Sequence, residues 1–155
     1  MKNILVILFS AIVLFSCQSN HDKELIIFHA GSLSVPFKQI AEQYQKENPD
    51  VEILMESAGS RQCARKIADL KRPCDIMASA DFRVIDNLLM PEYTHWNIKF
   101  AGNEMAIVYH DQSRLSKEIN SKNWYDILMK EEVAYGRSNP NADPCGYRTV
   151  LLASL

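Results

Sequence analysis

The sequence lacks an excess of positive charge, closely spaced cysteine pairs and any apolar run long enough to span a bilayer. Of its 17 basic residues Lys2 belongs to the N-terminal leader, which leaves 16 against 19 acidic residues. A balance of this sign excludes the basic surface that nucleic-acid binding requires. No C-x-x-C pair occurs, and His21, His29, His95 and His110 are widely spaced, which disfavours a structural zinc site.

The longest apolar run lies near the N-terminus, from Ile4 to Phe15, and follows the single cation Lys2. It has about a dozen residues, whereas a transmembrane helix needs about 20. A short run behind one positive charge is typical of a signal peptide, which we assign to residues 1–16. The mature protein is therefore expected to be exported, to the periplasm or the cell surface.

The segment Leu14-Phe15-Ser16-Cys17 resembles the lipobox of bacterial lipoproteins, in which the cysteine is acylated. The resemblance implies a lipid anchor on Cys17 and a polar tether over residues 17–23. Each buried methylene of an acyl chain contributes about 0.8 kcal/mol, so more than one chain would hold the protein at a membrane. The alternative is an ordinary signal peptide followed by a chance cysteine.

Three cysteines follow Cys17, namely Cys63, Cys74 and Cys145. An odd number in an exported protein leaves at least one thiol unpaired. A disulfide between Cys63 and Cys74 suits the compartment, but their spacing does not establish it.

Strand-like and helix-like segments alternate from residue 24 onward. Short apolar runs at 25–28, 51–55 and 75–78 are typical of buried parallel strands. Each is followed by a small polar turn and by apolar residues at helical spacing. This βαβαβα order predicts an α/β fold, with a parallel sheet and helices on both faces.

The pattern changes after Pro91. Residues 96–100 and 104–109 read as two extended segments, and 133–135 as a further strand. Asp143 and Pro144 then start a last helix, which has neither a stop signal nor a following strand.

We interpret this change as a boundary between two lobes. The first lobe is expected over residues 24–109, and the start of a second over 110–155. Because the last helix has neither a stop signal nor a following strand, we expect the sequence to be a fragment or the product of a truncated gene, with the second lobe incomplete.

A small polar turn opens a helix at three places in the sequence. Helix N-termini carry unsatisfied amide donors and a partial positive charge, so they bind anions without lysine or arginine. In parallel sheets such turns lie at the carboxyl ends of strands, where ligands bind. A net negative protein can bind an anion there. The three loops are residues 30–34, 57–60 and 141–146.

Within these loops Gly31, Gly59 and Cys145 are expected to contribute to an oxyanion site, since glycine lets the backbone approach a ligand closely. Simple helix capping is the alternative at each loop taken alone. Ser34 and Ser60 would then be N-caps, and Asp143 an N-cap followed by proline at the first helical position. Three such loops in one exported protein favour a shared anion site.

At these loops the sequence resembles the tungstate and molybdate binding proteins of ABC transporters, specifically the tungstate-type branch. The similarity runs from Glu24 to Leu155. It is carried by HAGSLSVPF (29–37), Ala58-Gly59-Ser60 with Arg65-Lys66-Ile67, DIMASAD (75–81), PEYTHWNIKFAGNEMAIVY (91–109) and GRSNPNADPCGYRT (136–149).

The resemblance implies a two-lobed fold of the periplasmic-binding-protein type II kind, which holds the oxyanion in its cleft and delivers it to a membrane permease. Ser32 and Ser60 match serines that donate to the oxyanion, and Asp143 matches a carboxylate that approaches tungsten or molybdenum. A second carboxylate and a tyrosine of the family site would lie beyond Leu155. We expect a monomer without enzymatic activity, a cofactor or a nucleic-acid partner.

Two rival interpretations remain open at this point. The protein could bind sulfate, phosphate or another small ion, with Arg65, Lys66, Arg72 or Arg148 as a clamp. It could instead be a hydrolase with Cys145 as nucleophile, because helix N-termini stabilise thiolates. No residue is clearly placed as the base for that reaction, and His29 is the nearest candidate by loop position.

Overall fold

The structure, a computed structural model, describes residues 23–154, so the proposed signal peptide and Cys17 lie outside the described residues. Three parallel strands form one sheet in the order β2-β1-β3. They are β1 (Lys23–Ala30), β2 (Val51–Ala58) and β3 (Ile76–Ala78). Their order along the chain agrees with the three predicted strands, although β1 and β2 extend further towards the loops.

Helices follow each strand, as the periodicity predicts. A short 3-10 turn at Gly31–Leu33 leads into the first of them. The helices are α1 (Ser34–Glu47), α2 (Ser60–Ala68), α3 (Phe82–Leu88), α4 (Trp124–Leu128) and α5 (Pro144–Ala153).

Helices cover both faces of the sheet. The side chains of β1 point alternately to one face and to the other. Phe28 points to one face, where it forms the core with Ala64 and Ile67 of α2 and with Val84 of α3. The ring of His29 points to the other face and lies 5.8 Å from that of Phe37 in α1. The predicted fold class, a parallel sheet with flanking helices, is thus confirmed.

The two extended segments and the strand predicted after Pro91 do not form strands in this structure. Residues 96–100, 104–109 and 133–135 have no strand pairing, and the apolar side chains Ile98, Phe100 and Val108 stay exposed. A strand forms only where a neighbouring backbone takes up its hydrogen bonds. No such neighbour lies beside these segments within residues 23–154.

The three cysteines of the described part of the chain are free thiols. Cys63 is fully buried in the core, where its Sγ contacts the carbonyl oxygen of His29 at 3.6 Å. Cys74 is half-buried, and Cys145 is exposed. The disulfide that the sequence leaves open is therefore not formed here.

None of the helices between residues 23 and 154 is long and apolar enough to cross a membrane.

Candidate oxyanion site

The first two loops lie side by side at the carboxyl edge of the sheet. Ala30 and Ala58, the last residues of β1 and β2, are paired in the parallel register. The hydroxyl groups of Ser34 and Ser57 are 3.1 Å apart, and Ser34 also donates to the carbonyl oxygen of Gly31 at 2.8 Å. The structure therefore brings the first loop (30–34) and the second loop (57–60) together.

The third loop (141–146) reaches the second through Gly59. A β-carbon at this residue would overlap the carbonyl oxygen of Ala142 and would lie 3.4 Å from Cβ of Asp143. Gly146 makes a similar approach, since a β-carbon there would lie 2.6 Å from the backbone of Asn139 and Pro140. Only glycine fits at these two positions, because two backbones meet at each of them.

Ser60 is fully buried at the first position of α2 and does not cap that helix. Its Oγ accepts a hydrogen bond of 3.0 Å from the amide of Ala80, which follows β3. The N-cap is Gly59, whose own amide donates to Oε1 of Gln62 at 3.3 Å. The capping alternative is therefore wrong for Ser60, whose hydroxyl joins two loops of the sheet edge.

The capping alternative is also wrong for Ser34, which lies at the first position of α1 behind the N-cap Leu33. In the preceding turn Gly31 and Ser32 are both exposed. Ser32 lines a cavity of about 810 Å³ together with Phe37, Ala80 and Arg148. Its hydroxyl is thus accessible from solvent.

Asp143 is a true N-cap, as the capping alternative predicts. Its Oδ1 accepts from the amide of Cys145 at 2.8 Å, and its carbonyl oxygen accepts from the amides of Gly146 and Tyr147 at 3.1 and 3.4 Å. The first amides of α5 are therefore already bonded to Asp143. This helix end has fewer spare donors than the sequence suggests.

The three loops are adjacent, but the two cavities at this edge do not include all of them. The second cavity, of about 370 Å³, is lined by Arg61, Asp81, Tyr147 and Arg148 among others. Neither Ser60 nor Asp143 lines either cavity. The predicted site residues thus share one edge of the sheet, and neither of these two cavities encloses all of them.

The cations considered as a clamp are mostly paired elsewhere. Lys66 and Arg72 both bind the carboxylate of Glu56, the latter with Nη2 at 2.6 Å. The hydrogen bonds from Arg72 and then Lys66 hold the pKa of Glu56 below its usual 4.5. Arg148 pairs with Asp81 at 2.8 Å, while Arg65 is exposed. These pairings oppose a clamp built from lysine and arginine.

The geometry does not support the hydrolase alternative. His29 is buried, and its Nδ1 lies 2.9 Å from the carbonyl oxygen of Ala30. The hydrogen bonds of residues 23–154 do not join this ring to Cys145. A nucleophile needs its base within hydrogen-bond reach.

The sequence analysis did not identify Asp81 as a residue of the candidate site region. Its carboxylate is buried and accepts from Tyr147 Oη at 2.6 Å, from the amide of Arg83 at 3.0 Å and from Arg148. Burial acts to raise the pKa of Asp81, but these hydrogen bonds outweigh it and lower the pKa below 3.8. Burial and the bond to Asp81 raise the pKa of Tyr147 to about 12. The one local signal was an aspartate directly before a helix.

A protein family and several known proteins of the same description are similar to this chain. Residues 25–154 match the family described as bacterial extracellular solute-binding protein. An uncharacterized solute-binding protein of Petrotoga mobilis is 53% identical over 132 residues, which are 85% of this chain and 41% of that protein. One from Methanococcus maripaludis strain C7 is 44% identical over 154 residues, 98% of this chain and 45% of that protein.

A solved structure is also similar, the substrate binding domain of a putative molybdenum ABC transporter from Clostridium difficile. The identity is 28% and the TM-score 0.40, and the match covers 42% of this chain and 28% of that one. The chain spans less than half the length of the two curated relatives named above. From the match over residues 25–154 and these identities, the chain belongs to the bacterial extracellular solute-binding protein family.

Proposed function

We propose that this chain carries part of the ligand site of a solute-binding protein that captures tungstate or molybdate and delivers it to the permease of an ABC transporter. The proposal depends on one observation, the contact between Gly59 and Ala142. Through this contact the first turn of α2 lies next to the loop that contains Asp143. A helix end that attracts anions and a carboxylate that can reach a metal centre are thereby neighbours.

The first turn of α2 would supply main-chain donors. The amides of residues 60–62 precede the first intrahelical bond, which runs from Cys63 to Gly59 at 2.9 Å. Such amides are unsatisfied and lie at the positive end of the helix dipole. The hydroxyl of Ser60 accepts from Ala80 and has a proton left to donate, but Ser60 is fully buried in this structure, so a donation to the ligand requires the neighbouring loops to move.

The first loop would add the exposed hydroxyl of Ser32 and the backbone of Gly31. Nanomolar affinity corresponds to about −12 kcal/mol. A hydrogen bond to a charged group contributes about 1.5–3 kcal/mol, so about four to eight donors are required before the cost of immobilising the ligand is subtracted. The donors named in the two loops, three amides of α2, two serine hydroxyls and the amide of Gly31, lie within this range only before that cost is subtracted. We therefore propose that a second lobe closes over the ion to complete the site.

Asp143 would determine which oxyanion is bound. A carboxylate beside a dianion repels it unless its oxygen enters the coordination sphere of the central atom. Tungsten and molybdenum can accept such a ligand, whereas the sulfur of sulfate does not readily do so. The amide of Cys145 orients Asp143 by binding Oδ1, which leaves Oδ2 available for the metal.

The protein is proposed to work outside the cytoplasm, because its family is extracellular. We propose further that Cys17 is acylated and that a tether of residues 17–22 connects the domain to a membrane, since Lys23 already belongs to β1. The bound ion is cargo and not a cofactor, and no catalytic step is assigned.

Isothermal titration calorimetry tests the proposal directly. The protein, in the full length its gene encodes, is titrated with sodium tungstate, molybdate, sulfate and phosphate in turn. Tungstate and molybdate should bind far more tightly than sulfate or phosphate. Equal affinities would contradict the role of Asp143. Binding of none of the four would reject the proposed ligand class altogether.

A further inference from the structure

The buried carboxylate of Asp81 joins two distant parts of the chain. It lies between β3 and α3, and its side chain caps α3 through the amide of Arg83 at 3.0 Å. The same carboxylate accepts from Tyr147 Oη at 2.6 Å and from Arg148 Nη2 at 2.8 Å. Both donors belong to α5, one turn beyond Asp143.

These bonds are strong because Asp81 is only 4% exposed. Charge-assisted hydrogen bonds are roughly twice as strong as neutral ones, and removal of one partner leaves a buried charge uncompensated. Arg148 also buries its Nε, which has no hydrogen-bond partner among the described residues. The guanidinium group thus keeps its bond to Asp81 although its Nε–H is buried without a partner.

Further contacts immobilise the same turn of α5. The guanidinium of Arg61 lies over the ring of Tyr147, 5.3 Å from its centroid, and donates from Nη1 to the carbonyl oxygen of Pro140 at 3.4 Å. Gly146 lies directly against the backbone of residues 138–140. The start of α5 is therefore held from α2 on one side and from Asp81 on the other.

We propose that Asp81 is a positioning residue, which holds Tyr147 and Arg148 and thereby fixes where the Asp143 carboxylate lies relative to the first turn of α2. Its relevance to ligand binding rests on the proposed function. Binding sites require their groups within about 0.5 Å of the productive geometry, and rigid supporting bonds provide this. Asp81 acts through α5 and does not itself contact the ion.

Asp81→Asn is the sharpest variant for a test. Asparagine is as good an N-cap as aspartate, so α3 keeps its cap. The negative charge is lost, however. The amide nitrogen of the asparagine is itself a donor and would face the two donors Tyr147 Oη and Arg148 Nη2. Tyr147→Phe is a milder variant that keeps the ring beneath Arg61 and removes only the hydroxyl. Asp86→Asn is the matched control, because Asp86 is exposed on the same helix and its carboxylate accepts from Asn97 alone among the described residues.

Two measurements are made on each variant. Hydrogen exchange should become faster at the amides of residues 142–147 other than Pro144, while those of β1 and β2 keep their wild-type protection. Tungstate affinity should fall by about 10- to 100-fold in Asp81→Asn, as for other residues that orient a ligand group. Tyr147→Phe should show a smaller increase in exchange and a smaller loss of tungstate affinity. Asp86→Asn should change neither quantity.

The double variant Asp81→Asn/Tyr147→Phe should lose no more tungstate affinity than Asp81→Asn alone, since both changes break one unit. Faster exchange throughout the sheet would show a general loss of stability and would overturn the proposal. Unchanged exchange at residues 142–147 would overturn it as well. If the wild-type protein binds none of the oxyanions, the proposed function fails, and the exchange experiment alone still decides whether Asp81 positions α5.

Discussion

Gly59 lies directly against the main-chain carbonyl of Ala142, although the two residues are far apart in the sequence. The contact joins the turn before α2 to the third loop (141–146), which contains Asp143. It also explains why a side chain is absent at this position, since any β-carbon would overlap the carbonyl oxygen. The relationship between these two loops can be tested separately from ligand binding.

Gly59→Ala should destabilise the protein by about 1–3 kcal/mol, because the added methyl group forces the two backbones apart. Urea unfolding followed by circular dichroism measures this change. Gly136→Ala serves as the control, since a β-carbon at residue 136 meets nothing within 4 Å. Equal unfolding free energies for both variants would mean that the loops are not in contact in solution.

Asp143→Ala should reduce the ratio of tungstate affinity to sulfate affinity. The carboxylate is proposed to coordinate tungsten but not sulfur, so its loss should weaken the binding of tungstate more than that of sulfate. The substitution also removes the N-cap of α5, which costs about 1 kcal/mol of stability. Asp143→Asn separates the two roles, as it keeps the cap and loses the charge. Calorimetry should show reduced selectivity in both variants. Wild-type selectivity in Asp143→Asn would contradict coordination by the carboxylate.

The stability that Asp81 contributes should depend on pH. Its pKa is lowered below the ordinary 3.8 in the folded protein. A group with a lowered pKa stabilises the fold above its unfolded pKa, and the contribution disappears as the pH falls through the folded value. The difference in unfolding free energy between wild type and Asp81→Asn should therefore be present at pH 6 and smaller at pH 3. Urea unfolding at both pH values measures it, and a constant difference would refute the assignment.

The three later cysteines should react with thiol reagents at different rates. Cys145 is exposed, whereas Cys63 is fully buried, and burial raises the pKa of its thiol. Alkylation followed by mass spectrometry should modify Cys145 first and Cys63 only after unfolding. The total number of free thiols among residues 23–154 should be three. A count of one would indicate a disulfide in the native protein.

Cys17→Ser should release the protein from membranes, because the proposed acyl chains would have no point of attachment. Fractionation of expressing cells followed by immunoblotting measures the distribution. Cys145→Ser is the matched control, since it removes a thiol that is not proposed to be acylated. Retention of Cys17→Ser in the membrane fraction would reject the lipobox interpretation.

Much of the fold could be predicted from local patterns. The apolar runs of β1, β2 and β3 and the helical spacing in α1, α2 and α3 are each readable within about fifteen residues. Short turns between such segments specify a parallel sheet with helices on both faces. Asp143 before Pro144 likewise predicts the start of α5, since capping chemistry is local.

The predicted strands after Pro91 show where this reasoning fails. Residues 105–108 form a short apolar run, as a buried strand would. Strand formation nevertheless needs hydrogen-bond partners from another part of the chain, and the pattern carries no information about them. Helices are less affected, because each satisfies its own backbone groups.

The sequence by itself determined the order of strands and helices, the glycine and serine turns at the carboxyl ends of β1 and β2, and the cap at Asp143. Only the tertiary structure decided that Gly59 lies against Ala142, that Ser60 is buried against Ala80 and that Asp81 holds Tyr147 and Arg148. The physical reason is the range of the interactions. Capping and periodicity act within a few residues, whereas these contacts join segments that meet only when the chain has packed around Phe28.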